Sequence, residues 1–155
     1  MEITRDGNMA CTRVGTLWLA AVGERPISDD TWHEYLEQSA SSVRLAGPFH
    51  GILLWAPKHG PSAAQRKMLT GEFADAVRID TQRRVALISE SALVRGTITA
   101  INWFTRVNTA AFAPRHAQRA LDWLAQDIAF DRLHARRVLD EIVGAVEVRV
   151  LRSGS

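Results

Sequence analysis

The chain has 155 residues, of which 46% are apolar and 23% charged, and its formal net charge is +2. That length and balance describe one globular domain with a sizeable core, and they argue against a disordered or fibrous chain. No apolar run approaches the ~18 residues that a membrane span needs, and the single cysteine, Cys11, leaves no internal disulfide.

The absence of a basic segment followed by an apolar one at the start, Met1-Glu2-Ile3-Thr4-Arg5-Asp6, predicts a cytoplasmic protein. Cys11 is expected to be a small buried hydrophobe in a strand. Nine of the 19 basic residues fall between positions 61 and 130, beside six acids. That is a mild excess without a basic stripe, so nucleic acid is not an expected partner.

Residues 1–8 read as a short edge strand turning at Asp6-Gly7-Asn8, with Asn8-Met9-Ala10 as a longer hairpin loop. Residues 12–22 read as the longest strand, broken by Gly23 to Pro26. Ser28 is a helix N-cap, followed by Asp29 and Asp30 where the helix dipole favours negative charge. Trp32, Leu36, Ser39, Ala40 and Val43 then recur at helical spacing over 29–44. Gly51 to Ala56 is a continuous apolar run of strand length, the expected centre of the sheet. Ser62 and Gln65 form an S-x-x-Q capping box that opens a helix over 63–77, with Leu69, Phe73, Ala76 and Val77 inward.

The stretch from Arg83 to Leu124 reads strand, helix, strand, helix: 83–89, 92–106, 109–114 and a helix ending at Leu124. Its two short apolar strands suit a parallel sheet covered on both faces. The helix over 92–106 carries an apolar arc of roughly 220°, wider than one core requires. Trp103 and Val107 on that arc are candidate interface residues. A last helix spans 130–143 with Gly144 as its cap, and the alternation Val146-Glu147-Val148-Arg149-Val150 reads as a closing strand or extended tail. Arg152 to Ser155 are expected to be disordered. The fold class is therefore α/β: a four- to five-stranded, mixed but mainly parallel sheet with flanking helices. Residues 1–127 form the domain, and 128–155 a C-terminal helical extension packed on it.

Two segments carry a resemblance. The strand Arg84-Val85-Ala86-Leu87-Ile88-Ser89 leads into a helix ending Trp103-Phe104. Phe112 then closes a strand, and a short polar turn leads to Ala120-Leu121-Asp122-Trp123-Leu124. With the element order, these make roughly residues 1–125 similar to the SpoIIAA-like group, which includes STAS domains and the related Sec14-type proteins. The resemblance implies a non-enzymatic regulatory or docking module of bacterial signalling, acting through a protein partner such as a regulator or kinase, with a homodimer as a further arrangement. It also implies control by phosphorylation of a serine within Asp-Ser-x-Gly. By element order the matching residue is Ser62, in Gly60-Pro61-Ser62-Ala63-Ala64, where the acid and the following glycine are both missing. Ser91, in Ser89-Glu90-Ser91, is the second candidate. Both serines are also explained as helix caps.

For catalysis the residues offer less. The five histidines and Cys11 show no zinc-ligand spacing, G-x-S-x-G and the nucleotide-binding glycine motifs are absent, and no cofactor is indicated. Lys58, His59 and Ser89 follow strands at the edge where open α/β sheets bind ligands, so they are the candidate pocket. Two alternatives to docking stay open. One is an apolar small-molecule or lipid-binding protein, with a cavity lined by Trp55, Phe73, Ile101 and Phe104. The other is a small enzyme using the strand-end loops, with a pair such as Ser91 and His59.

Overall fold

A computed structural model describes residues 1–46, 50–68, 84–101 and 108–153. Six strands form one sheet in the order of the chain: β1 (Glu2–Ile3), β2 (Met9–Val14), β3 (Leu17–Val22), β4 (Gly51–Trp55), β5 (Arg84–Ile88) and β6 (Asn108–Phe112). β1, β2 and β3 are antiparallel neighbours, whereas β3 to β6 run parallel. The expected α/β class holds, with six strands in place of four or five. The helices are α1 (Asp29–Ala46), α2 (Ala63–Lys67), α3 (Ala92–Ile101), α4 (Ala117–Leu124) and α5 (Arg132–Ser153), with a 3-10 turn at Pro114–His116.

Strands laid down in chain order put successive right-handed crossovers on the same face. The core divides accordingly. On one face Met9, Cys11, Trp18, Ala20, Ile52, Leu54 and Leu87 meet Trp32, Tyr35 and Leu36 of α1, with Met68 and Val94 packed against the rim. On the other, Ala10, Val14, Leu17, Leu19, Leu53, Ala86 and Ile88 meet Ala117, Ala120, Leu121 and Leu124 of α4 and Ala135, Leu139, Ile142 and Val146 of α5. Each strand thus contributes alternate residues to two cores. The α4 and α5 residues recur at the three- and four-residue steps of a helix stripe.

Three expectations need correction. The stretch 12–22 is not one strand: a tight turn at Gly15-Thr16 divides it, with Val14 opposite Leu17. A two-residue hairpin loop needs positive φ at its first position, and Gly15 has φ +58°. The Thr16 hydroxyl donates to the Ala129 carbonyl (2.8 Å), which ties the hairpin tip to the α4–α5 loop. Met9 and Ala10 are strand rather than loop; the turn is made earlier, where Gly7 (φ 73°) donates its N–H to the Thr4 carbonyl. Last, Val146–Val150 is helical, and α5 runs through Arg152 to Ser153. Val146 lies one helical step beyond Ile142 and is buried with it, so burial favours continuing the helix. Gly144 keeps a helical conformation, since positive φ occurs only at Gly7 and Gly15 among the described residues.

The local signals at α1 and α2 hold. Ser28 caps α1 by accepting the Thr31 N–H (3.1 Å). The Ser62 hydroxyl accepts the Gln65 N–H (3.1 Å), while Gln65 Oε1 accepts the Ser62 N–H (2.9 Å), the reciprocal capping box. Gln65 is buried and also joins the two helices. Its Nε2 donates to the Ile27 carbonyl (2.8 Å) and Asp29 Oδ1 (3.0 Å), and its carbonyl accepts Trp32 Nε1 (2.8 Å). The remainder of the helix expected over 63–77, with Leu69, Phe73, Ala76 and Val77, lies outside the described residues, as do 102–107. Among the described residues no helix is long and apolar enough to cross a membrane.

Candidate functional site

The parallel strands all end on one edge, and the loops that follow them meet there. The loop after β4 and the loop after β5 are joined by the Glu90 N–H donating to the Pro57 carbonyl (2.9 Å). The loop after β5 is joined to β6 by the Ser89 N–H donating to the Phe112 carbonyl (3.0 Å). The loop after β3 is fixed from the other side by Asn8, which is buried. Its side chain donates to the Arg25 carbonyl (2.8 Å) and accepts the Arg25 N–H (3.3 Å), and its carbonyl accepts the Gly23 N–H (2.7 Å). A Cβ on Gly23 would lie 2.8 Å from Asn8 Oδ1, so glycine is required for this approach.

The predicted pocket residues sit on this edge. Lys58 pairs with Glu24 across to the β3 loop (2.6 Å). The hydrogen bond to Glu24, the charge of Glu24 and that of Glu90 hold its ammonium above the ordinary lysine value, so Lys58 is a fixed cation and not a base. His59 is half-buried in the same loop. Ser89 is buried, and its hydroxyl accepts the Ser91 N–H (3.1 Å). The Ser91 hydroxyl in turn accepts the Val94 N–H (3.2 Å), capping α3. Ser62 is exposed and serves its capping box. The three hydroxyls are thus engaged as acceptors from backbone N–H groups. Trp103 and Val107 lie outside the described residues.

Sequence reasoning missed a second group on the same edge. α3 and α4 both begin there, from opposite faces of the sheet. Arg95, in the first turn of α3, donates from Nη1 to the Ser89 carbonyl (2.7 Å). Arg115 and His116 lie in the 3-10 turn after β6, with Arg115 Nε 3.4 Å from His116 Nε2. Arg119 follows one helical turn later, on the side of Arg115. Partial burial, then the charges of Arg119, Arg115 and Arg95, hold His116 below the usual histidine value. The sequence signal was Arg115-His116-Ala117-Gln118-Arg119 just past a strand. Arg95 is 20 positions earlier and reaches the same edge by binding the Ser89 carbonyl, whose own N–H is tied to Phe112.

Elsewhere, burial pushes the Cys11 thiol up to about 12, with Gln38 Oε1 2.9 Å from its sulfur. The thiol is therefore a packing group, as expected. Burial alone would raise Asp6, but the Asn8 N–H, the Thr31 and Thr4 hydroxyls and the Arg25 charge together leave it below the ordinary carboxylate value. No hydrogen bond joins any two of Asp6, Cys11, Lys58 and His116. Trp55 packs against the core on the α4–α5 face, whereas Val94 of α3 packs on the opposite face. The sheet therefore lies between Trp55 and Val94, and the Ile101 side chain is not among those described. Phe73 and Phe104 lie outside the described residues. Among the described residues no three His, Cys, Asp or Glu side chains gather closely enough to hold a metal ion.

Among the described residues the most exposed large apolar side chain stands in the first turn of α3: Leu93 is 81% exposed, with Ala92 and Gly96 exposed beside it. Neither a family model nor a curated protein nor a solved structure matches this chain.

Proposed function

We propose that this chain is a non-enzymatic docking module of the SpoIIAA/STAS-like kind, which acts by binding another protein through the strand-end edge around α3. One observation carries the reading: Leu93 is presented to solvent at 81% exposure in the first turn of a helix whose neighbouring positions are small. An exposed leucine flanked by Ala92 and Gly96 offers a partner apolar surface that docking would remove from water. The hydroxyls at this edge support the same reading. Ser62, Ser89 and Ser91 hold backbone N–H groups rather than facing a base. Control by phosphorylation would act at Ser91, where a phosphate at the start of α3 changes the local charge by almost two units beside the exposed leucine.

A photoreactive residue at position 93 tests the reading in cells, with the same residue at position 133 as control, because Leu133 is also exposed (74%) but lies on α5. The expected result is a discrete protein adduct from position 93 that is absent from position 133. The Leu93→Asp variant should lose that partner while keeping its melting temperature. Equal adducts at both positions, or partner retention by Leu93→Asp, would overturn the proposal.

A further inference from the structure

We draw no further inference here: the strongest candidate, the cavity of about 490 Å³ lined by Cys11, Arg13 and Trp18 of β2 and β3 and by Gln38 of α1, carries none, because the one buried side-chain polar atom without a partner among its described lining residues, Trp18 Nε1, has no surface open to a ligand, and its exposed charges, Glu2, Arg13 and Glu37, are of both signs and select none.

Discussion

Truncating Leu139 to alanine measures whether α5 belongs to the core. Leu139 is 1% exposed and lies in the α5 stripe with Ala135, Ile142 and Val146, against Ala10, Val14, Leu19 and Ala21 of β2 and β3. The substitution removes three carbon atoms from a buried site. At about 0.8 kcal/mol per buried methylene, the transfer loss is roughly 2.4 kcal/mol. The cavity left behind adds to this, because a helix pinned at both ends of its stripe cannot collapse fully onto the sheet; the total should be about 3 kcal/mol. For a domain of this size that corresponds to a fall in melting temperature of roughly 6–12 °C. Urea denaturation followed by far-UV circular dichroism gives the free energy, and a thermal scan gives the midpoint. Leu133→Ala on the same helix is the control. Leu133 is 74% exposed and should change stability by less than about 0.5 kcal/mol. If Leu139→Ala costs no more than Leu133→Ala, the docking of α5 on β2 and β3 is wrong, and with it the account of the second core.

Two smaller predictions follow from titrating groups. The Cys11 thiol, raised to about 12 by burial, should resist alkylation at pH 8 in the folded protein and react fully in denaturant; rapid labelling of the native chain would contradict its place in the core. Asp6 has a folded pKa below its unfolded value, so the stability it contributes is present above that unfolded value and is lost as pH falls through the folded one. Wild type should therefore exceed Asp6→Asn by a constant margin above about pH 5, and the margin should close in acid. A margin that widens on acidification would mean that Asp6 is not held by the Thr4, Asn8 and Arg25 contacts.

What the sequence makes legible are the elements whose ends are marked by chemistry. The Ser62–Gln65 box and the Ser28 cap are each a short-range hydrogen-bond pattern, and each forms where its residues place it. The Gly15 hairpin is hidden because its strands lack alternation. All six residues of β3 are buried, as are four of β2, so nothing in the apolar pattern marks the break, and Gly15-Thr16 is the sole signal. The end of α5 is ambiguous for the opposite reason. Val146, Val148 and Val150 satisfy a two-residue period, but Leu139, Ile142 and Val146 satisfy a helical one as well. The choice depends on the face of β2 and β3 that α5 covers, which is tertiary information. The strand-end residues are placed correctly on one edge, yet their roles are not legible. Lys58 turns to Glu24 and the serines turn to backbone, contacts that depend on which loops become neighbours.

The same reasoning explains why charge collects where it does. A sheet built in chain order by right-handed crossovers covers only one face, so the chain must return after β6 to cover the other. It does so at the edge where β6 ends, through Pro114–His116, and α4 starts there and packs back along β5 and β6. α3 starts at the same edge because β5 ends there. Residues in the first turns of the two helices therefore start from one edge of the sheet although they are distant in sequence. Counted along the chain, Arg95, Arg115 and Arg119 are an unremarkable share of 19 basic residues. Counted over this edge, Arg115 and Arg119 stand just past the end of β6, and Arg95 holds the carbonyl of Ser89 just past the end of β5. The change of face that completes the core is thus what brings these basic residues to one edge, and a variant that abolished the return of α4 would remove Arg115 and Arg119 from it.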